Sequence, residues 1–471
     1  MKLALEKIGS ITDWRNGDTW PAARIASHAS ARAAMLRTHG AAPGTRVIIS
    51  YGGSPAFFAD LFGVWQAGAC AVCLNPASAA AELETIINFV EPVAVLEKAE
   101  ELAEESLQSE SAAPEGELDD DALILFTSGT TGIPKGVVHT FRSILSRVAL
   151  NQAHIPAVAM RRTLCVLPTY FGHGLIGNCL TPLLAGHDLV LAPAANLEVT
   201  AKLGEIIDDY GITFMSSVPT LWKKVAKMAT PPRSGSLARV QVGSAPLSAM
   251  LWNEIADWSR VRDVVNMYGI TETANWLCGA SLADHDARDG LIGLMWGGMA
   301  RVMTPSSEVN NAGEGEILVQ SPSLMKGYYR QPDATADVLR DGWFHTGDIG
   351  EIDTNGVMRL TGRAKHEINR GGLKIHPEDI DLLLERHEGV HEVCTFPIPD
   401  ENEGETVGVA VSLRNGINID AQALRSWCAE RISREKVPVR WVILDEIPKT
   451  DRGKINRATV AAHCLNPGAT T

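Results

Sequence analysis

The chain has 471 residues, 45% of them hydrophobic and 21% charged, which is enough for a large and a small domain, each with its own core. Its formal net charge of −14 argues against nucleic-acid binding, which requires clustered Lys and Arg, so an anionic substrate must be held by local positive groups. The sequence shows neither a signal-peptide pattern nor an apolar run long enough to cross a membrane, and we expect a cytoplasmic protein without a membrane span.

The N-terminal part of the chain alternates between helix and strand patterns. The predicted helices are at 22–40, 55–68, 82–90, 174–186, 197–211 and 219–229, and the predicted strands are at 46–50, 70–75, 93–98, 163–168, 187–193 and 212–218. This alternation is typical of doubly wound parallel sheets and predicts an α/β fold. The Glu- and Ser-rich stretch 99–120 is interpreted as a solvated helix-and-loop connection.

The pattern changes to short strands and turns in the C-terminal third. Asn355-Gly356 between DIGEID and VMRLTG is a strong hairpin signal. A smaller α+β unit follows, with predicted helices at 376–389 and 420–433 and strands at 390–399, 405–414 and 439–447. We therefore predict a large N-terminal domain, 1–364, with doubly wound sheets and a β-rich subdomain, and a small mobile α+β domain, 365–471.

Two patterns in the chain resemble metal sites, and we interpret neither as one. Cys70 and Cys73 form an isolated CxxC inside an apolar run, so they are predicted to be buried strand thiols, and the scattered cysteines fit a reducing compartment. The segment HEGVH at 387–391 spells HExxH, but Gly389 interrupts the helix. Since the zinc motif needs both histidines on one helical face, we predict no zinc site there.

A dense Ser/Thr/Gly/Lys loop, TSGTTGIPKG at 127–136, follows an apolar run that is predicted to be a buried strand. Glycines let the backbone approach a ligand, hydroxyls donate hydrogen bonds and the lysine adds charge, which indicates a phosphate-binding loop. It is not a Walker loop, because Lys135 stands between Pro134 and Gly136. The candidate residues are Thr127, Ser128, Gly129, Thr130, Thr131, Gly132 and Lys135.

Two other segments, GSAP at 243–246 and NMYGITE at 266–272, also follow predicted strands. In an open parallel sheet, ligands bind beyond the carboxyl ends of the strands. We therefore expect both segments to converge with the phosphate loop.

TSGTTGIPKG resembles the signature loop of the adenylate-forming enzymes, which comprise acyl- and aryl-CoA synthetases, peptide-synthetase adenylation domains and luciferases. Further segments match this family in order over almost the whole chain: LPTYFGHGLIGN at 167–178, GSAP, NMYGITE, GWFHTGDIG at 342–350, and GRAKHEINRGGLKIHPEDID at 362–381 with PKTDRGKINR at 448–457. Each segment alone would be explained by core aromatics, turn caps or surface charges, whereas their joint order supports the resemblance.

The resemblance implies a site for ATP and Mg²⁺. Tyr268 would stack on adenine, Thr271 would touch a phosphate, and Glu272 would hold the metal. Asp348 would bind the ribose hydroxyls. The chemistry agrees, because a carboxylate that attacks the α-phosphate needs cations on the phosphoryl oxygens, and Mg²⁺ prefers hard oxygen ligands. The other implied nucleotide-binding residues are Gly243, Ser244 (in place of the family's usual glycine), Ala245, Asn266, Met267, Gly269, Arg363 and Lys454.

The resemblance also implies roles for the small domain. Lys454 would bridge the substrate carboxylate and the α-phosphate during adenylation. The domain would then rotate about the hinge residue Lys365, and pantetheine would thread beside Gly371 and Gly372. The implied catalytic residues are Lys454, Glu272, Thr127 and His173.

The candidate acid-binding residues are Phe171, His173, Gly174, Asn178 and Gly269. TYFGHG offers no aspartate to hold a substrate ammonium, which argues against an amino acid and favours a neutral acid. YFGHGLIGN somewhat resembles the corresponding segment of benzoate-type CoA ligases, which favours aryl over aliphatic acids. His173 is equally consistent with a hydrogen-bonded core histidine.

The first functional hypothesis is an acyl- or aryl-CoA ligase that uses ATP, Mg²⁺ and CoA to activate a small carboxylic acid. The alternative is a stand-alone adenylating enzyme that loads the phosphopantetheine arm of a carrier protein, for which the same tunnel would serve. A non-catalytic nucleotide sensor is disfavoured because Lys454, Glu272 and the phosphate loop are all present, and nothing selects for a luciferase-like oxygenase. The sequence does not determine the oligomeric state, for which a homodimer is the common default.

Overall fold

The computed structural model describes residues 3–99, 117–127, 135–193, 196–363, 366–370, 373–401, 403–450 and 454–465. The strands in these ranges are β1 Ile11–Asp13, β2 Thr19–Trp20, β3 Arg46–Ile49, β4 Cys70–Cys73, β5 Ala94–Leu96, β6 Asp121–Thr127, β7 Lys135–Thr140, β8 Arg162–Cys165, β9 Asp188–Leu191, β10 Phe214–Ser217, β11 Arg239–Val242, β12 Val264–Ile270, β13 Asn275–Ser281, β14 Leu291–Met295, β15 Met299–Met303, β16 Val309–Asn310, β17 Gly313–Gln320, β18 Gly327–Tyr328, β19 Leu339–Arg340, β20 Trp343–Ile352, β21 Met358–Arg363, β22 Ile368–Arg370, β23 Leu373–Ile375, β24 Val390–Asp400, β25 Gly404–Leu413 and β26 Arg440–Leu444.

The helices lie between these strands, as the alternation predicts. The α-helices are Ala22–Thr38, Pro55–Gln66, Ala80–Val90, Phe141–His154, Ala157–Met160, Thr181–Leu183, Leu197–Ala201, Leu203–Asp209, Pro219–Met228, Ala249–Ser259, Pro332–Val338, Pro377–Glu385, Ala421–Ala429 and Arg457–Leu465, with short 3₁₀ turns at Leu5–Lys7, Thr271–Thr273 and Arg434–Lys436. None of the helices in the described ranges is both long and apolar enough to cross a membrane.

The largest sheet among the described residues has 15 strands, in the order β16-β15-β17-β20-β21-β14-β13-β12-β11-β10-β8-β9-β1-β2, with β19 paired to β20. The run β12-β11-β10-β8-β9 is parallel, because each strand is connected to the next through a helix. Strand β13 then pairs antiparallel with β12 and leads into the β-rich part of the sheet. The hairpin predicted at Asn355-Gly356 is confirmed, since β20 and β21 pair across it.

A second sheet, in the order β18-β7-β6-β4-β3-β5, carries the segment predicted to bind phosphate. Strands β5, β3, β4 and β6 are parallel, as predicted, and β7 returns antiparallel to β6. The Cys70 and Cys73 thiols are buried in β4, which confirms their interpretation as strand residues. The predicted connection at 99–120 lies largely outside the described residues.

The third sheet contains only strands from Ile368 onwards, in the order β23-β22-β25-β24, with β26 parallel to β25. Ile368, Ile380, Val409 and Leu424 are among the buried residues that form its own core. The predicted α/β fold class, with a large N-terminal and a small C-terminal unit, is confirmed. The predicted domain boundary at 364/365 lies outside the described residues and stays a prediction.

The structure differs from the sequence prediction most clearly at 174–186, which was predicted to be one ordinary helix. The segment His173–Leu180 winds as a π-helix before the short turn Thr181–Leu183. A Cβ on Gly174 would lie 2.1 Å from the Pro168 carbonyl oxygen, and one on Gly177 would lie 1.9 Å from the Asn275 amide. Both glycines of the π-helix are therefore packed so closely that no side chain fits. Such π-helical turns are frequent at functional sites.

Candidate active site

The edge of the predicted phosphate loop is formed by Thr127 at the end of β6 and Lys135 at the start of β7. The two residues are cross-strand partners, and the Thr127 hydroxyl donates to the Lys135 carbonyl oxygen at 3.4 Å. The Lys135 ammonium lies 4.6 Å from the ring centre of Tyr328, within cation–π distance. Ser128, Gly129, Thr130, Thr131 and Gly132 lie outside the described residues, so their predicted role is neither supported nor contradicted.

Glu272 lies on the 3₁₀ turn Thr271–Thr273, directly after β12. The Tyr328 hydroxyl donates to Oε1 of Glu272 at 2.8 Å. Burial, reinforced by the charge of Glu272, raises the pKa of Tyr328, so the phenol stays protonated and is the donor. The backbone of Glu272 is fixed too, because its carbonyl oxygen accepts from the Met325 N–H at 2.7 Å.

His139 supports the neighbouring residue Thr271. Its Nε2 lies 2.8 Å from the Thr271 carbonyl oxygen, and burial lowers the pKa of His139 to about 4. The imidazole is therefore neutral at physiological pH, and Nε2–H is the donor to this carbonyl. A buried strand residue of β7 thus fixes the turn that carries Glu272.

The donor set around Glu272 fits Mg²⁺ bound together with a nucleotide. Among the described residues, no group of three or more His, Cys, Asp or Glu side chains could form a protein-only metal cage. Mg²⁺ commonly takes one or two protein carboxylates together with substrate phosphates. The single carboxylate of Glu272, beside Lys135 and the phosphate-loop edge, is the arrangement that this mode requires.

Tyr268, Asp348 and Arg363 form a second cluster between β12, β20 and β21. The Tyr268 hydroxyl donates to Oδ2 of Asp348 at 2.5 Å, and Nε of Arg363 lies 2.7 Å from Oδ1. Asp348 is 2% exposed, so both donors stabilise a buried carboxylate. Burial and the charge of Asp348 raise the pKa of Tyr268 well above its usual value.

His173, the first residue of the π-helix, lies between two hydroxyl groups. Its Nδ1 is 2.8 Å from Oγ of Ser244 and its Nε2 is 2.7 Å from Oγ of Ser216, while its ring packs edge-on against Trp276 with centroids 5.6 Å apart. Burial, followed by the positive charge of Lys454, lowers the pKa of His173 to about 3. The imidazole is therefore neutral, with one nitrogen donating and the other accepting.

Ser244 adopts a left-handed backbone conformation with φ of +67°. This is the position at which the resembled family usually has glycine, which enters that region without strain. The preceding Gly243 is tightly packed, since a Cβ there would lie 2.8 Å from the Met267 carbonyl oxygen. The chain thus keeps a glycine-like turn at Ser244 and uses the added hydroxyl to contact His173.

Asn178, predicted to bind the acid, lies behind this cluster. Its side chain is fully buried; Nδ2 donates to the Leu164 carbonyl oxygen at 3.1 Å, and Oδ1 accepts from the Ser216 N–H at 2.7 Å. It therefore joins the π-helix to β8 and β10. Phe171 is half-buried and packs edge-on against Tyr170.

The remaining predicted nucleotide-binding residues lie along β11 and β12. Asn266 is buried, and its Nδ2 donates to the Leu291 carbonyl oxygen at 2.7 Å, while Met267 is part of the core and Ala245 is half-buried. A Cβ on Gly269 would lie 2.1 Å from the Asn275 carbonyl oxygen, so glycine is required there by packing.

Lys454 of the small domain is close enough for its charge to act on His173 of the large domain. Its backbone N–H donates to Oγ1 of Thr450 at 3.3 Å. The structure therefore brings the predicted adenylation lysine and the predicted acid-binding loop to one place. The predicted hinge Lys365 and the predicted pantetheine-binding Gly371 and Gly372 lie outside the described residues.

Direct contacts hold the third sheet against the large domain. Nζ of Lys223 lies 2.7 Å from Oε1 of Glu385, and Arg386 forms an ion pair with Asp289. On the same face, Nζ of Lys227 lies 3.1 Å from Nε2 of His391.

The two histidines of the HExxH pattern have separate surroundings. His391 faces Lys227, whereas His387 packs edge-on against Trp427 with ring centroids 5.0 Å apart. The helix ends at Glu385 and β24 begins at Val390, so the pattern does not lie on one continuous helix.

The roles of Tyr328 and Ser216 were not predicted from the sequence. Tyr328 contacts Glu272 and Lys135, and Ser216 contacts His173. The pattern at 212–218 predicted only a strand around Ser216. The doublet Tyr328-Tyr329 in MKGYYR carries no local signal that distinguishes one tyrosine from the other.

Comparison with known proteins gives a consistent result. A family model described as AMP-binding enzyme matches residues 11–329, and one described as AMP-binding enzyme C-terminal domain matches residues 379–454. The chain is 33% identical over 352 residues to an oxalate–CoA ligase of Arabidopsis thaliana, covering 74% of this chain and 68% of that protein. It is 31% identical over 448 residues to a feruloyl-CoA synthase of Amycolatopsis sp, covering 90% of each. It also superposes on the crystal structure of ATP-bound MatB from Rhodopseudomonas palustris with a TM-score of 0.86 and 26% identity, covering 98% of this chain and 96% of that one.

Proposed function

Because the chain belongs to the AMP-binding enzyme family and is an AMP-forming acid–thiol ligase, we propose that it joins a neutral carboxylic acid to coenzyme A through an acyl-adenylate. The observation that carries this proposal is the arrangement of the Glu272 carboxylate and the Lys135 ammonium, which both contact Tyr328 at the edge of the predicted phosphate loop. The charge of Lys454 also acts on His173, which supports a position of the adenylation lysine beside the proposed acid-binding loop.

The first step in this proposal is attack by a carboxylate oxygen of the acid on the α-phosphorus of ATP. A carboxylate–phosphorus bond forms, the bond between the α- and β-phosphates breaks, and pyrophosphate leaves with its electron pair. Lys454 would neutralise charge that develops between the carboxylate and the α-phosphate. Thr127 and Lys135 would hold the phosphates at the edge of the loop, and Mg²⁺ held by Glu272 would neutralise charge on the phosphoryl oxygens.

The nucleoside would be held by the Tyr268–Asp348–Arg363 cluster and by the Ser244 turn. A buried carboxylate such as that of Asp348 is suited to accept from the two ribose hydroxyls, while Tyr268 and Arg363 fix its orientation. The backbone at Gly243, Ser244 and Ala245 would lie under adenine. In this assignment Arg363 and Tyr268 position Asp348 rather than take part in bond making.

The proposed acid is neutral apart from its reacting carboxylate. His173 stays uncharged, and its contacts in the described residues are the Ser216 and Ser244 hydroxyls and the Trp276 ring. These groups supply hydrogen bonds and apolar surface but no positive charge for a second carboxylate. In the proposed reaction, Lys454 neutralises the reacting carboxylate. The second carboxylate of a dianionic acid would therefore have no positive partner among these groups.

The second step is attack of the coenzyme A thiol, as thiolate, on the acyl carbon, with AMP as the leaving group. We propose that residues 365–471 rotate about Lys365 for this step, so that pantetheine passes Gly371 and Gly372. The ion pairs Lys223–Glu385 and Arg386–Asp289 would have to open during that rotation. We also infer a cytoplasmic location, since all eight cysteines are unpaired and buried.

The experiment that tests this function incubates the purified protein with ATP, Mg²⁺ and a pool of aryl and aliphatic acids, with and without coenzyme A. Mass spectrometry should detect an acyl-CoA in the first mixture and an acyl-adenylate in the second, and the acyl mass identifies the acid. Acyl-adenylate that persists unused with coenzyme A present would reject this acceptor and indicate a carrier protein. A product only from dicarboxylic acids would reject the neutral-acid assignment.

A further inference from the structure

Tyr328 contacts both charged side chains that the proposed function assigns to the triphosphate end of ATP. Its hydroxyl donates to Oε1 of Glu272 at 2.8 Å, and its ring centre lies 4.6 Å from Nζ of Lys135. The carboxylate and the ammonium thus contact different parts of one side chain.

The backbone of β18 holds this tyrosine firmly between the two sheets. Tyr328 pairs with Val137 of β7, and its N–H donates to the Thr335 hydroxyl at 2.8 Å. On either side, the Lys326 N–H donates to the Val138 carbonyl oxygen and the Tyr329 N–H to the Gly136 carbonyl oxygen. The segment is therefore attached to the strand that leaves the phosphate loop.

The same segment is also attached to the turn that carries Glu272, because the Met325 N–H donates to the Glu272 carbonyl oxygen at 2.7 Å. Tyr328 is 7% exposed, so its orientation is restricted by packing. A fixed ring and hydroxyl restrict the rotamers of the flexible Glu272 and Lys135 side chains. Such restriction reduces the entropy that must be lost when phosphate and metal bind.

We propose that Tyr328 is a positioning residue that fixes the metal-binding carboxylate through its hydroxyl and the phosphate-binding lysine through its ring. This inference rests on the proposed function, since it assumes that Glu272 holds Mg²⁺ and Lys135 contacts phosphate. The two parts of this side chain then have separable effects. The hydroxyl acts on metal-dependent ATP binding, whereas the ring acts on ATP binding with or without metal.

The test measures ATP affinity by calorimetry, without acid, in the presence of Mg²⁺ and in the presence of EDTA. Tyr328→Phe should reduce the strengthening of ATP binding by Mg²⁺ about tenfold, as expected for the loss of a hydrogen bond to a charged group, and leave the affinity in EDTA unchanged. Tyr328→Leu, which also removes the ring, should weaken ATP binding in both conditions. Tyr329→Phe is the matched control, because the Tyr329 hydroxyl donates to the Val90 carbonyl oxygen at 3.4 Å and its ring faces Arg46 and Arg330, so the ATP affinities with Mg²⁺ and with EDTA should both stay at the wild-type value.

A double-mutant cycle with Glu272→Gln separates positioning from a general structural effect. If Tyr328 acts through Glu272, adding Tyr328→Phe to Glu272→Gln should not further reduce the effect of Mg²⁺ on ATP affinity. Metal-dependent affinity that is unchanged in a folded Tyr328→Phe protein would overturn the proposal, as would equal weakening with and without metal accompanied by a lowered Tm. Failure of the wild-type protein to bind ATP in either condition would instead reject the nucleotide site, and with it the proposed function.

Discussion

The hydroxyl of Tyr268 donates a 2.5 Å hydrogen bond to Asp348, and this contact joins β12 of the parallel region to β20 of the β-rich region. The two residues are 80 positions apart in the chain, and the bond is fully buried. The predicted adenine-stacking residue therefore fixes the orientation of the predicted ribose-binding carboxylate. A change at either one should alter nucleotide binding.

Asp348→Asn tests this cluster. The amide keeps the size of the side chain but loses the charge that pairs with Arg363 and accepts from Tyr268. We expect the KM for ATP in acid-dependent pyrophosphate exchange to rise about tenfold or more, as for loss of a charge-assisted hydrogen bond. The exposed Asp337→Asn is the control and should leave KM unchanged. An unaltered KM in Asp348→Asn would reject the role of this carboxylate in nucleotide binding.

Ser244 allows backbone strain to be separated from its hydrogen bond to His173. Ser244→Gly and Ser244→Ala both remove the hydroxyl, but only glycine relaxes the left-handed backbone at φ of +67°. We expect the glycine variant to be more stable than the alanine variant by about 1 kcal/mol in urea unfolding. Both should change the ratio of kcat/KM values between aryl and aliphatic acids. Equal stability of the two variants would contradict the strain argument.

The pKa values of the buried histidines predict acid sensitivity. His173 has a pKa of about 3 in the folded protein, against 6.5 as its ordinary value. Because the unfolded chain binds this proton and the folded chain does not, stability is unaffected well above pH 6.5 and falls as the pH decreases from there towards about 3. We expect His173 to contribute about 2 kcal/mol to the loss of unfolding free energy between pH 7.5 and pH 5.

His173→Asn should therefore lose less stability over this pH interval than the wild type, whereas the exposed His463→Asn should lose the same amount. Urea unfolding at the two pH values gives both differences. An identical pH dependence in His173→Asn and the wild type would show that His173 is not held neutral by burial.

Exchanging the charges of the Lys223–Glu385 ion pair tests whether this contact supports adenylation. Each side chain is 20% exposed, and the pair links the helix Pro219–Met228 to the helix Pro377–Glu385. If this contact stabilises the arrangement used for adenylation, Glu385→Lys should slow acyl-adenylate formation by about fivefold, which corresponds to about 1 kcal/mol. Thioester formation from supplied acyl-adenylate should not slow. The double variant Lys223→Glu with Glu385→Lys should recover adenylation, and failure to recover would exclude direct pairing.

Lys454→Ala tests the division of labour between the two steps. Removing this positive charge should depress acyl-adenylate formation by about 100-fold, comparable to the loss of one transition-state-stabilising donor. Thioester formation from supplied acyl-adenylate should remain near the wild-type rate. The control Lys202→Ala removes an exposed lysine that pairs with Glu198 on the surface and should affect neither step. Equal loss in both steps would contradict the two-position model of the small domain.

Most of the strands and helices could be predicted from the sequence because short-range patterns of apolar residues, glycines and turn residues indicate them. The strand at 46–50 and the helix at 55–68 were recognisable from apolar patterning and breaks at glycine, and the structure places them at Arg46–Ile49 and Pro55–Gln66. The Asn355-Gly356 turn predicted its hairpin for the same reason. The helix Phe141–His154 was missed because polar residues such as Arg147 lie on its buried face. The Arg147 guanidinium donates to the Trp296 carbonyl oxygen and to the Ser321 and Ser323 hydroxyls, and no local pattern predicts partners so distant in the chain.

The candidate site was predicted mainly through the family resemblance, and its unpredicted parts depend on tertiary contacts. Tyr328 lies 56 positions from Glu272, and no local pattern relates the two. The π-winding of His173–Leu180 has the same apolar pattern as an ordinary helix. The position of Ser216 beside His173 depends on how β10 lies under the π-helix. Such features follow from the packing of distant segments rather than from periodicity.

Activation through an acyl-adenylate requires that a carboxylate oxygen attacks the α-phosphorus of ATP, and an oxygen-transfer measurement follows that oxygen into the products. An accepted acid labelled with ¹⁸O in both carboxylate oxygens would be converted to the thioester, and the AMP released would be analysed by mass spectrometry. The released AMP should contain one ¹⁸O atom per turnover, and the pyrophosphate should be unlabelled. Label in inorganic phosphate, or AMP without label, would contradict activation through an acyl-adenylate.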